Sequence, residues 1–301
     1  MSDDDLCAYC GQPVLTGTED PEHAIPAAVG GRLTTKAVCV PCNRWAGRDI
    51  DQPWLDDPLV LDCRFQYRIP DRRGRTVDSS PLLTGKTDDG RWVTMGRDGV
   101  PVLRNAPVTI DGSTGQMRIT AADTDALKAQ TDKQVRKLQA AGRTVTPIEI
   151  GAASDQPQIT GGGQVEPGRW HRMGAKIALA LLAEQQPAAW RRGESANRLR
   201  AAMRSRPTAS EVRFVSIEAI AAFAPRPATA VVVSPPGPTT MVSLLGIFGV
   251  AFVLADDLDR ADWAWVTDPL DVTADAQGSL AEVIYARHQS AGLLEGPHGA
   301  D

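Results

Sequence analysis

Two Cys-x-x-Cys pairs, Cys7/Cys10 and Cys39/Cys42, constrain the start of this chain more than any other feature. Two intervening residues let a tight turn bring both thiolates of a pair to within about 2.3 Å of one metal ion, and two pairs complete a tetrahedral site. Four thiolates leave no position for water, so the zinc such a site holds is structural. Its binding energy replaces a core that a segment this short cannot build. The disulfide reading needs an oxidising compartment. The acidic start Met1-Ser2-Asp3-Asp4-Asp5 lacks the apolar stretch of a signal peptide, so zinc and a cytoplasmic location are expected. Chemistry must then lie in the residues the zinc would position: Glu22-His23 between the pairs, and Asn43 directly after Cys42.

Cys7-Ala8-Tyr9-Cys10-Gly11, Glu22-His23-Ala24-Ile25-Pro26, Gly30-Gly31 and Cys39-Val40-Pro41-Cys42-Asn43, with Gly47 shortly after, resemble the zinc-bound form of the HNH endonuclease superfamily, the ββα-metal or His-Me finger nucleases. The resemblance covers about residues 7–51. It implies that Glu22 and Asn43 hold one catalytic divalent metal and that His23 takes a proton from the water attacking a DNA phosphodiester. Mg²⁺ or Mn²⁺ suits that pair, because a hard cation takes oxygen ligands and keeps several waters. A neutral imidazole with pKa near ~6.5 suits the base. Adjacent strand residues point to opposite faces, so Glu22 and His23 can address metal and water separately. Asn also favours helix N-caps, which is the alternative role for Asn43. The sequence departs from the family at its middle asparagine, which orients the histidine through a backbone bond. Leu33-Thr34-Thr35-Lys36-Ala37 stands there instead; a hydroxyl of Thr34 or Thr35, or another residue altogether, is left to supply that bond.

A net charge of -5 is unfavourable for a DNA-binding protein, so the distribution of charge carries the argument. Arg64, Arg68, Arg72, Arg73 and Arg75 crowd the stretch after the zinc module, and residues 169–206 hold nine Lys and Arg against Glu184 and Glu194. Arg64, Arg68, Arg72, Arg73, Arg191 and Arg192 are the candidate phosphate contacts; a solvated helix face is the plain alternative. The run from Met241 to Ala255 contains Gly246 and Gly249 and falls short of the roughly 20 residues a membrane span needs. It reads as two buried strands.

The expected fold is α+β. Residues 1–56 form a zinc-stabilised ββα-metal, treble-clef-like nuclease module whose helix starts near Pro41, ends around Gly47 and is stopped by Asp51-Gln52-Pro53. Residues 57–150 hold a meander of short strands from about 57 to 120 and a helix over 121–141 that stops at Gly142. The Gly-, Gln- and Pro-rich stretch 151–168 reads as a mobile linker. Residues 169–301 form an α+β C-terminal domain with helices over 168–186 and 196–203, strands over 211–223, 229–234 and 240–254, and a final helix. That domain is expected to supply DNA grip, protein-partner contacts or target selection, and it bears no chemical motif of its own. Cys63 reads as a packed thiol, His171 as a structural histidine. The expected function is a metal-dependent DNA endonuclease. Cutting both strands with one site per chain needs a homodimer or two binding events. Restriction and phage defence, phage DNA processing and mobile elements all use such modules, and a nuclease head on an unrelated body leans to defence. The alternatives are a non-catalytic zinc-scaffolded DNA-binding protein and a nuclease that an effector triggers through the C-terminal domain.

Overall fold

The computed structural model describes residues 6–14, 21–71, 73–87, 92–96, 101–103, 108–110, 116–119, 124–145, 159–161, 165–186, 188–208, 211–213, 215, 227–234, 239–259, 262–271, 275–279, 281–283 and 286. The chain divides into two compact units, Met1–Val77 with Val165–Asp301, and Asp78–Gln164. The boundaries expected from the sequence, at 56 and 168, differ from these.

In the first unit, β1 (Glu22–His23) and β2 (Thr34–Thr35) form a two-residue antiparallel pair, with Glu22 opposite Thr35 and His23 opposite Thr34. Helix α1 (Val40–Ala46) follows, opening on Cys39 with Pro41 in its first turn, where the missing N–H costs nothing. The helical path does not end at Gly47. It widens into a π-turn over Gly47–Asp51, in which the Gln52 N–H reaches back to Gly47 O, and continues through α2 (Gln52–Leu55). Pro53 explains the widening, because its ring would collide with the carbonyl of Asp49 in a regular α-helix. A further helix, α3 (Pro58–Gln66), occupies the start of the stretch expected as strands. Asp57 caps it by accepting the Leu59 N–H at 3.0 Å, and Pro58 takes the first helical position.

The second unit contains the expected short strands. β3 (Thr84–Thr87), β4 (Trp92–Met95) and β5 (Pro101–Leu103) form an antiparallel sheet, β6 (Val108–Ile110) pairs with β7 (Met117–Ile119), and α4 spans Thr124–Ala140. Gly142 ends α4 in the left-handed region, φ 73°. The expected linker contributes a strand, β8 (Ile159–Gly161), paired with β3; residues 151–158 and 162–164 lie outside the described residues, as do Asp88-Asp89-Gly90, Arg97-Asp98-Gly99 and Asp111-Gly112, whose composition suggests the turns of the meander.

The chain returns to the first unit through α5 (Pro167–Gln185) and α6 (Glu194–Arg204). An antiparallel sheet follows in the order β11-β10-β9-β12-β13, built from β9 (Thr229–Ser234), β10 (Thr239–Leu244), β11 (Phe248–Val253), β12 (Trp263–Thr267) and β13 (Ala276–Gly278). Most of the strand expected over 211–223 and of the final helix lies outside the described residues. α5 is buried on nearly every side from Met173 to Ala183. It lies between the cysteine segment and the sheet, and one apolar cluster contains Tyr9, Ile25, Trp54, Trp170, Leu181, Val231 and Val250. Trp170 packs edge-on against Trp54 at 5.6 Å and stacks on Phe248 at 4.8 Å. Cys63 is buried, and His171 packs against the Phe252 ring at 5.0 Å. Among the described residues, no helix is long and apolar enough to cross a membrane.

Candidate active site

The four cysteines converge. Their sulfur atoms all lie within 4.8 Å of one another, and Cys10 Sγ to Cys39 Sγ is 3.9 Å. Tetrahedral zinc with bonds of about 2.3 Å requires sulfur spacings of about 3.8 Å, so the Cys10–Cys39 pair already has that spacing and the set as a whole is of the size a structural zinc closes on. Turns make the two halves. The Gly11 N–H donates to Cys7 O at 2.8 Å with Gly11 at φ 70°, and the Cys39 N–H donates to Cys7 Sγ at 3.3 Å. The Cys7 thiol is lowered to about 4, first by a hydrogen bond from Cys42 and then, against its burial, by backbone N–H groups.

Arginines of the C-terminal part hold this turn from behind. Arg200 Nε donates to Ala8 O at 2.8 Å, Arg191 Nη1 to Leu6 O at 3.3 Å, and Arg204 Nη2 to Tyr9 O at 3.2 Å. Arg191, half-buried, also donates to Ala183 O at 3.0 Å, so part of its guanidinium is engaged inside the protein. Arg192 is exposed, as are Arg68 and Arg73; Arg64 is half-buried, with its guanidinium pushed down by burial. Arg72 lies outside the described residues. Arg75 is tied to Asp71, whose carboxyl sits at about 2 because the Arg75 N–H and guanidinium and the Arg73 N–H donate to it. Another basic surface surrounds Trp45 of α1. Arg172 and Arg204 lie over its ring at 5.9 and 5.7 Å, and Arg44, Arg48 and Arg206 are exposed.

β1 separates the two central residues by face. Glu22 points inward and is 3 % exposed, while His23 is half-buried. Tyr9 Oη donates to Glu22 Oε1 at 3.2 Å, and Lys176 Nζ of α5 reaches the same oxygen at 2.7 Å. Lys176 also contacts both oxygens of Asp51, at 2.8 and 3.0 Å, and donates to His23 O at 3.0 Å. Burial pushes the Glu22 carboxyl up, and Lys176 only partly offsets it. Burial alone would lower Lys176, but Asp51 and Glu22 outweigh it and hold the ammonium above its ordinary value. Across the hairpin, the buried Thr35 hydroxyl donates to Glu184 Oε1 and accepts the Ala37 N–H at 2.9 Å, so Thr35 faces away from His23. Exposed Thr34 is the cross-strand neighbour of His23. Asn43 sits half-buried in the first turn of α1; Cys39, not Asn43, occupies the N-cap. Lys176, Asp51 and Tyr9 are not among the site residues expected from the sequence. The available signal is one lysine inside the otherwise apolar run Met173 to Ala183.

Residues 7–59 match the family model described as HNH endonuclease. No curated protein and no solved structure matches the chain. The match suggests nuclease function and implies a nucleic-acid substrate, and the four-cysteine cluster is consistent with the zinc-bound form of such a segment.

Proposed function

We propose that the protein is a metal-dependent endonuclease that hydrolyses DNA phosphodiester bonds with His23 as general base. One observation carries the reading: a Glu-His pair stands on a hairpin beside a four-cysteine frame, within a segment that matches the HNH endonucleases. Glu22 and Asn43 are the residues that would hold a catalytic Mg²⁺ or Mn²⁺. The donor set suits a hard cation. Tyr9 and Lys176 both end on Glu22 Oε1, which leaves Oε2 for a ligand role. Asp51 shares the Lys176 charge, so the three groups keep one net negative charge toward a cation. When bound, the metal would stabilise negative charge developing on the scissile phosphate and leaving oxygen. The protein's own part is to hold the His23 imidazole toward the attacking water. Exposed Arg68, Arg73 and Arg192, and the arginines around Trp45, offer phosphate contacts that compensate for the acidic whole.

A zinc-scaffolded DNA-binding protein without catalysis is the second reading. The lysine bond to Glu22 favours it, because that bond competes with metal ligation. Supercoiled plasmid with Mg²⁺ or Mn²⁺ separates the two. Wild type should nick it, and His23→Ala should abolish nicking while zinc content and DNA affinity stay within about two-fold. Binding without nicking by wild type across both metals would select the scaffold.

A further inference from the structure

Lys176 has no side-chain exposure, and its ammonium stands in a helix whose other residues from Met173 to Ala183 are apolar or glycine. A buried ion cluster is a poor way to stabilise a fold, because the desolvation cost commonly matches the attraction gained and apolar packing serves as well. Its geometry is more informative. The ammonium contacts two consecutive residues of β1 in different ways: Glu22 through its carboxylate at 2.7 Å, and His23 through its backbone carbonyl at 3.0 Å. Asp51, presented by the π-turn that follows α1, supplies the second carboxylate.

The strand so held cannot hold itself. β1 and β2 are two residues each, and an isolated two-stranded pair is marginal in water even when longer. α5 grips both strands. Lys176 takes β1, and Glu184, two turns further along the same helix, accepts the Thr35 hydroxyl of β2. Holding the His23 carbonyl restrains one of the two peptide planes that flank its Cα, and so the direction in which the imidazole leaves the backbone.

We propose that Lys176, 153 residues away from His23 in sequence, is the positioning residue of this site, and that α5 completes the hairpin's catalytic geometry. The kinetic part of the proposal rests on the nuclease reading; the geometric part does not. The experiment uses the full-length, zinc-loaded protein with Lys176→Met, which keeps an apolar stem and removes the donor. The double variant Lys176→Met/Asp51→Asn also neutralises the half-buried Asp51 carboxylate, which lessens the unpaired charge left beside Glu22 and guards against a fold lost to it.

In either variant that retains zinc, single-turnover nicking at saturating plasmid should fall about 100-fold, the scale expected from misplacing a reacting group by about an ångström. The KM for plasmid should change less than about three-fold. The chain has four histidines, so the His23 ring signals can be assigned by NMR. They should shift or broaden in the variants while those of His171 stay in place. Wild-type nicking rates in folded variants would overturn the proposal. Loss of zinc and fold in both variants would make Lys176 structural only, and would overturn it too. If wild type itself does not nick, the nuclease reading falls, and the His23 ring signals alone decide the positioning claim: moved supports it, unmoved ends it.

Discussion

Arg200 is where linear charge counting and three-dimensional placement diverge most. It belongs to a basic stretch that suggests phosphate binding, yet it is 8 % exposed and its donors go to Ala8 O, Arg191 O and Asn197 Oδ1. Burial pushes its guanidinium down, and the neighbouring Cys7 and Cys10 oppose that. A loaded four-thiolate site carries two net negative charges, so a fixed cation behind the turn supports the thiolate state. Groups that orient metal ligands from behind typically contribute about 10- to 100-fold in metal affinity. Arg200→Ala should therefore weaken zinc binding by about ten-fold or more in a chelator competition. Arg200→Lys should recover little of it, because a lysine cannot reach several carbonyls in one plane. Unchanged zinc affinity in Arg200→Ala would mean the arginine only packs.

At the scale of elements, α5 is the piece on which the unit turns, and it approaches the sheet tightly at Gly174. A methyl group there would overlap Val250 Cγ2 and meet Phe252 Cε2 at 3.4 Å. Valine is stiff about χ1 and cannot swing aside cheaply. Gly47, in the π-turn, has open space within 4 Å of where a methyl would stand and an ordinary helical φ of -57°. The same substitution should therefore have opposite signs. Gly174→Ala should destabilise the unit by about 1–3 kcal/mol through overpacking, despite alanine's better helix propensity, whereas Gly47→Ala should stabilise it by about 0.5–1 kcal/mol. Thermal or denaturant unfolding of the two variants checks both signs. Much of this level is legible in the sequence. Apolar spacing marks α5, Gly142 marks the end of α4, and alternating or continuous apolar runs mark β9, β10 and β11. The misreadings have physical causes. Pro53 reads as a stop, but a π-turn absorbs its ring. Asp57-Pro58 reads as the start of a strand region, but it is a cap and a first helical residue. The hairpin's cation is hidden because the contact between Lys176 and His23 spans 153 residues, and no local pattern reports a partner that distant.

For the whole molecule, the question is whether zinc stabilises a small module or the entire unit that contains it. Several contacts cross from the cysteine segment to the rest. Tyr9 and Trp54 share one apolar cluster with Trp170, Leu181 and Val250. Arg32 forms a salt bridge to Asp275 at 2.6 Å and donates to Asp268 O at 2.9 Å, and a methyl on Gly30 would overlap Pro269. Structural zinc contributes about 10–16 kcal/mol of apparent binding energy in small zinc peptides, against a typical net stability of about 5–15 kcal/mol for a whole domain. Losing zinc therefore removes an amount comparable with the unit's whole ordinary margin. Unfolding of the cysteine segment would also uncover Lys176 and Trp170 in α5, so the sheet cannot keep its helix packed as before. Stripping zinc with a strong chelator should then abolish amide-exchange protection in α5, β9 and β10 together with α1. β3 and β4, which belong to the other compact unit, should keep theirs. Hydrogen exchange read segment by segment before and after chelation makes the comparison. Persistent protection across β9 and β10 in zinc-free protein would show that the sheet and α5 stand alone, and that zinc stabilises the cysteine segment only.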